Sequence, residues 1–487
     1  MRSGENSMDS YFHAAMADQG GGFCAGKTFP QLTMSVWEDH FSDKELLYHF
    51  ILSGVRSGQN FLGGGVSPPF NIPALFFSLF LILCFVFAAY SFNLRHIWFY
   101  SCLLACISPS FTNRITMLRP HVLSIGIMLL LCVWCYKAFL NRRFFLFIFA
   151  AGFLFAWTYS NPHFLLFPAF VFAVAFFKNK GFSVIAVPLF AALGILAGYV
   201  FHPQFPNTLY NWKIQCLDVV FQILSGDKAP VGLGVEVRPF GFDKVILDYA
   251  LFFIFALNAY LLFELKKWPF FKLNKAATAF FIMSCVAVPG VFISGRALEY
   301  ACPFVVMSFA FALREIRHSN FLKKHFLHCA LPLLFILFVF NGAWQFHHLK
   351  QKGFMPPEKF IAWTKSAGFE DGILIANLCW SDFPVLFYGA PEYKYLSGMD
   401  PMFSYSRDPE RMGKLEKFRC GFIDLTPLEL AKLTDARFVY VSQYGWRLAQ
   451  KMSKEGYPLV YNSKEDGFLF DLKPAILKSL KKKDSRP

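Results

Sequence analysis

The chain has 487 residues, 55% hydrophobic and only 16% charged, with 64 Phe and a mean hydropathy of +0.41. Ordinary soluble domains carry about 25% charged residues, so lipid rather than water solvates most of this chain. The net charge of +15 does not indicate nucleic acid, because the basic residues sit in short clusters between apolar runs, as the positive-inside rule predicts.

Residues 1–70 are polar to mixed, broken by Gly20-Gly-Gly22 and Gly63-Gly-Gly65. Leu32, Val36, Phe41, Leu46, Leu47, Phe50 and Ile51 recur near helical spacing among charged residues. That pattern predicts short amphipathic helices lying along a membrane surface. Apolar runs follow at about 73–92, 97–112, 121–140, 144–160, 162–178, 182–201, 245–264, 275–293, 298–313 and 326–343. A span needs about 20 residues, so the expectation is about ten transmembrane helices, with 97–112 and 298–313 short.

The loops between these runs alternate in charge. One set holds Arg95, then Lys137, Arg142 and Arg143, then Lys178 and Lys180, then Lys266, Lys267, Lys272 and Lys275, then Arg314, Arg317, Lys323 and Lys324. Counting Lys and Arg makes this set cytoplasmic. Residues 1–70, the loop 202–244 and the chain after Trp344 then face outward. An outward segment ahead of the 73–92 helix needs a translocating element, so a transmembrane helix is expected upstream of Met1.

After Trp344 the composition changes. Residues 373–377, 438–442 and 467–472 read as strands, and 409–418 and 426–433 as helices. The second helix opens with a capping box, Thr426-Pro-Leu-Glu429. The expectation is an outer α/β domain over 345–475, followed by a basic tail, 476–487.

The outward side collects the ionisable residues. Asp9 and Asp43 are each followed by a Tyr/His pair, Tyr11 with His13 and Tyr48 with His49, and Lys44 adjoins Asp43. A carboxylate there suits a general base or a cation ligand, and equally a solvated loop. Arg119-Pro-His121, with Arg114 just before it, stands at the entry of one apolar run; Arg296-Ala-Leu-Glu299-Tyr300 lies between two others. Arginine is costly at membrane depth, and two on the side that carries Asp9 suit a phosphate, whose oxygens a guanidinium matches in pairs. The loop 202–244 offers Glu236 as a further carboxylate. Walker, dinucleotide-binding and Gly-x-Ser-x-Gly patterns are absent.

The Asp9-Ser-Tyr-Phe-His13 stretch, the Asp43-Lys-x-Leu-Leu-Tyr-His49 segment and Leu118-Arg-Pro-x-x-Leu-Ser124 resemble the GT-C superfamily of polytopic glycosyltransferases. Trp380-Ser-Asp-Phe-Pro384 and Gly398-Met-Asp-Pro401 look like motifs of its bacterial members. The resemblance implies a GT-C fold of about ten transmembrane helices, with amphipathic helices in the first outer loop and an outer α/β domain. It implies transfer of a sugar from a polyprenyl-phosphate donor to a glycan, lipid or protein acceptor at the outer face of a bacterial inner membrane. In the family a carboxylate of the first outer loop is catalytic, a position that Asp9 occupies. Some members bind a divalent cation (Mg or Mn) through that carboxylate and others do not.

Elementary chemistry fits this economy. A lipid phosphate is already a good leaving group and needs cationic stabilisation rather than a general acid. One carboxylate deprotonating the acceptor then suffices, and a single displacement inverts the anomeric centre, whereas a glycosidase needs two flanking carboxyls. The expected site is Asp9 as base, with Arg119, Arg296 and Lys44 on the donor phosphate. His13, Asp43, His49, Glu236 and Glu299 shape the pocket or hold the acceptor, and Glu38 and Asp39 are surface charges. Two rival classes are a transporter, which needs broken helices with midplane charges, and a non-catalytic membrane scaffold presenting the C-terminal domain.

Overall fold

The computed structural model describes residues 8–20, 26–61, 71–219, 221, 238–266, 274–316, 320–350 and 356–484. The chain opens with α1 (Met8–Asp18), a single turn α2 (Trp37–His40) and α3 (Leu46–Phe61). The apolar bundle follows: α4 (Asn71–Ser91), α5 (Ile97–Cys106), α6 (Pro109–Ile115), α7 (His121–Ala138), α8 (Phe144–Thr158), α9 (Leu166–Lys180) and α10 (Ala186–Val200). After the short α11 (Asn207–Lys213) and α12 (Phe242–Leu247), it is completed by α13 (Tyr249–Lys266), α14 (Lys275–Gly290), α15 (Leu298–Ile316) and α16 (Asn320–Lys350).

Among the described residues four helical stretches are long and apolar enough to cross a membrane: Asn71–Ser91, His121–Ala138, Pro162–Val200 and Gly295–Glu315. Five shorter apolar helices accompany them, and Pro162–Val200 takes in two of the ten expected runs. The run expected over 97–112 is two helices. Ser108 caps α6 by accepting from the Phe111 amide at 2.9 Å, and Pro109 at its first position has no amide hydrogen to continue α5.

Apolar helices in lipid gain little from water exclusion and associate by close packing at small residues. α8 and α10 do this through Gly152, Gly194 and Gly198. A methyl group on Gly194 would collide with the Phe149 carbonyl oxygen, and one on Gly152 with that of Ala191.

The C-terminal domain carries a five-stranded sheet in the order β2-β1-β3-β5-β4. Its strands are β1 (Leu374–Asn377), β2 (Lys394–Tyr395), β3 (Phe438–Val441), β4 (Leu459–Ser463) and β5 (Gly467–Asp471). β1 pairs in parallel with β2 and β3, and β5 runs antiparallel to β3 and β4. The capping box at Thr426 forms in full at the start of Pro427–Thr434.

The first loop packs against the C-terminal domain. Leu32 bridges in parallel to Tyr395 at the sheet edge. Phe29, Leu32, Val36, Trp37 and Phe41 share one apolar core with Phe360, Phe383, Phe387 and Phe403 of the C-terminal domain. Arg407 fastens the same contact by reaching Glu38 and Asp39 at 2.7 Å each, so these two charges have a joining role that the sequence does not reveal.

The glycine seam gives a direct test. Gly194→Val forces α8 and α10 apart, and overpacking of this kind costs about 1–3 kcal/mol. The melting temperature of the detergent-purified chain is expected to drop by several degrees, while Gly342→Val, where a methyl group meets open space, leaves it nearly unchanged.

Candidate active site

α1 carries Asp9 and His13 one turn apart. Asp9 is in the first turn, where the helix dipole favours a carboxylate. Its Oδ2 accepts from Arg119 Nη2 at 2.5 Å, and both side chains are largely withdrawn from solvent. Arg119 stands just before α7, so this pair ties the first loop to the mouth of the bundle.

A second pair lies at the same mouth. Arg114 of α6 donates to the Glu299 carboxylate in the first turn of α15, and His121 Nε2 donates to the Arg114 carbonyl at 3.0 Å. Arg296, in the turn Gly295–Ala297 that leads into α15, is an electrostatic neighbour of Glu299. Arg119, expected on the donor phosphate, thus pairs with Asp9, the expected base, and Glu299, expected in the pocket, pairs with Arg114.

Asp43 organises a third cluster, fully internal. His49 Nδ1 lies 2.7 and 2.9 Å from its two carboxylate oxygens, and the Glu45 amide donates to Oδ1 at 3.1 Å. On its other side His49 meets His13, Nε2 to Nδ1, at 2.8 Å. The backbone of Asp43 is clamped by the loop after α10: its amide donates to Gln204 Oε1 at 2.6 Å, and its carbonyl accepts from His202 Nε2 at 3.1 Å. The Gln204 amide donates to His202 Nδ1 at 3.2 Å, which fixes His202 as the neutral Nε2–H tautomer. Asn207 and Asn211, one turn apart on α11, donate to the Phe41 carbonyl and to Ser42 Oγ at 2.9 and 2.7 Å.

Burial shapes the ionisation here. It lowers the pKa of His13, helped by His49 and Arg119, and raises that of Glu45. It also lowers that of His202, against the opposing pull of Asp43. Three donor residues, His13, Glu45 and His49, bring ligand atoms within 4.8 Å of one another. Asp9 belongs to no such three-residue group among the described residues, and its carboxylate is already engaged by Arg119.

The remaining expected residues distribute as follows. The Lys44 ammonium lies over the Phe403 ring, 5.5 Å from its centroid, facing the C-terminal domain. Glu236 lies outside the described residues. Glu45, Gln204, Asn207 and Asn211 were not singled out from sequence. Glu45 and His49 stand four apart at the start of α3, a spacing that puts both on one helix face, and this signal was available.

The two C-terminal motifs have structural work. Asp400 caps Pro401–Arg407 by accepting from the Met402 amide at 2.9 Å, and its other oxygen accepts from Gln215 Nε2 at 2.8 Å. Any side chain at Gly398 would run into the Phe383 ring. Asp382 is buried, and burial pushes its carboxyl up to about 7, with Ser442 and Arg419 opposing.

No family model and no curated protein matches the sequence. Solved structures do match. The apo oligosaccharyltransferase from Archaeoglobus fulgidus superposes with a TM-score of 0.59 at 10% identity, over 94% of this chain and 69% of that one. The same enzyme tethered to an acceptor peptide with an NVT sequon gives 0.61 at 11% identity, over 96% and 70%. This chain has the fold of that oligosaccharyltransferase. A third structure, the archaeal oligosaccharyltransferase AglB with an inhibitory peptide and dolichol-phosphate, gives 0.60 at 11%, again over 96% and 70%.

Asp382 offers a test by pH. Its folded pKa, about 7, lies above the ordinary 3.8. The stability it contributes is therefore full below the ordinary value and is lost as pH rises through 7. Asp382→Asn removes the buried charge and is expected to stabilise the chain at pH 8 by up to about 4 kcal/mol, seen as a higher melting temperature, with little change at pH 4. Melting curves of both proteins across that range check it.

Proposed function

We propose that this chain is a membrane glycosyltransferase that moves a sugar from a polyprenyl-phosphate carrier to an acceptor on the extracytoplasmic side of a bacterial-type membrane. The observation that carries the reading is the Asp9–Arg119 pair at the mouth of an apolar bundle, in a chain with the fold of an oligosaccharyltransferase. The dolichol-phosphate and the acceptor peptide bound by that archaeal enzyme supply the substrate classes: a lipid-linked donor and a separate acceptor. The acceptor here is a glycan, a lipid or a protein.

In this reading Arg119 holds the Asp9 carboxylate in position, and Arg119 and Arg296 receive the donor phosphate. The acceptor hydroxyl attacks the anomeric carbon while its proton passes to Asp9. The bond from that carbon to the phosphate oxygen breaks, and its electron pair stays on the phosphate, which the guanidinium groups stabilise as its charge grows. One displacement inverts the anomeric centre. Glu299 keeps Arg114 in place, and Asp43, His13 and His49 fix the loop that carries the acceptor side. A transporter is disfavoured by position: Arg114, Arg119 and Glu299 stand at helix ends rather than at mid-length of the spans.

The test is release of polyprenyl phosphate from a radiolabelled polyprenyl-phosphate sugar by membranes holding the full chain. Asp9→Asn is expected to lower turnover by at least about 100-fold, the scale of a lost general base, with the chain still expressed and folded at the assay temperature despite the lost ion pair. Turnover retained in that variant contradicts the role of Asp9, and no release by the unaltered chain contradicts the enzyme reading.

A further inference from the structure

The fully internal cluster below the Asp9 turn is built like a transition-metal site. His13 Nδ1 and His49 Nε2 point at one another across 2.8 Å, and the Glu45 carboxylate completes a set of three donors within 4.8 Å. His13, Glu45 and His49 are all at most 5% exposed. We propose that these three residues bind one zinc ion, with Asp43 as the outer partner that orients His49.

Three observations converge on an ion rather than a plain hydrogen bond. His49 gives its Nδ1 hydrogen to Asp43, which leaves a lone pair on Nε2 aimed into the cluster. This is the carboxylate–histidine–metal arrangement, in which the outer carboxylate fixes the ring and raises its basicity. Two nitrogens on one tetrahedral zinc lie about 3.3 Å apart, given bonds of about 2.0–2.1 Å. The observed separation needs only about half an ångström of opening to admit the ion. The two imidazole donors also choose the metal: nitrogen favours zinc and its transition-metal neighbours, whereas Mg and Mn prefer all-oxygen sets. The three ligands leave a fourth position for water or another donor. Binding requires neutral imidazoles and an ionised Glu45, so uptake releases whatever protons they carry.

The position gives the ion a purpose. His13 follows Asp9 by one turn on α1, while Glu45 precedes α3 and His49 lies in its first turn, so one ion staples the helix that carries Asp9 to α3. The zinc site is independent of the glycosyltransferase reading, because metal content and melting are measured without any sugar transfer.

The test is elemental analysis of the full chain purified in detergent without chelator, then stripped and titrated with zinc chloride alone. The expected result is about one zinc per chain, a melting temperature that falls on stripping and recovers with zinc, and tetrahedral-type visible bands on cobalt substitution. Glu45→Gln and His49→Ala are expected to lose the metal. Asp43→Asn, which keeps all three ligands, is expected to bind about 10–100-fold more weakly. That milder variant keeps the test open should the others fail to fold. Zinc content and melting that are the same in the unaltered chain and in Glu45→Gln would overturn the proposal, and would leave His13–His49 as a hydrogen bond only. Magnesium, rather than zinc, restoring the melting temperature would overturn it too.

Discussion

Helix α1 is held between two apolar cores, and the candidate active site depends on that. Tyr11, Ala14 and Ala17 pack into the core of the membrane bundle, while Phe12, Ala15 and Met16 pack into that of the C-terminal domain. A large apolar side chain removed from water contributes about 1.5–3 kcal/mol, and one packed within the bundle contributes close contacts. The helix therefore cannot turn without losing one set of contacts. Asp9 and His13 are fixed between the cores, with Arg119 on the bundle side and His49 below.

The charges at the mouth are economical because they occur as pairs. An isolated buried charge costs several kcal/mol, and removing one partner of a buried pair typically costs 3–5 kcal/mol. Asp9 with Arg119 and Arg114 with Glu299 each satisfy this condition, and both lie where helix ends already supply partial charge. On the proposed reading, a donor phosphate entering here meets guanidinium groups already oriented by carboxylates, so little reorganisation is left for the moment of reaction.

Much of the fold was legible from sequence because lipid imposes simple rules. The apolar runs and the strands at 373–377, 438–442 and 467–472 correspond to helices and strands within a few residues, and the capping box at Thr426 is complete. The short β2 and the solvent-facing β4 were missed because neither has a marked pattern: β2 has only two residues and β4 alternates weakly. The helical α1 was missed for a different reason. It is apolar on both faces and short, so it shows no single stripe. The gathering of Asp9, Arg119, Glu299 and Arg114 could not be read from residues 110 and 185 positions apart. Their types were legible, but their pairing depends on tertiary packing.

A structure of the full chain in lipid nanodiscs with a polyprenyl-phosphate sugar bound tests the central claim most directly. The account predicts the phosphate within hydrogen-bond reach of Arg119 or Arg296, the anomeric carbon facing Asp9 and an open approach for an acceptor hydroxyl on that carboxylate. A donor phosphate bound on another face of the bundle, with Asp9 and Arg119 still paired and remote from the sugar, would contradict it.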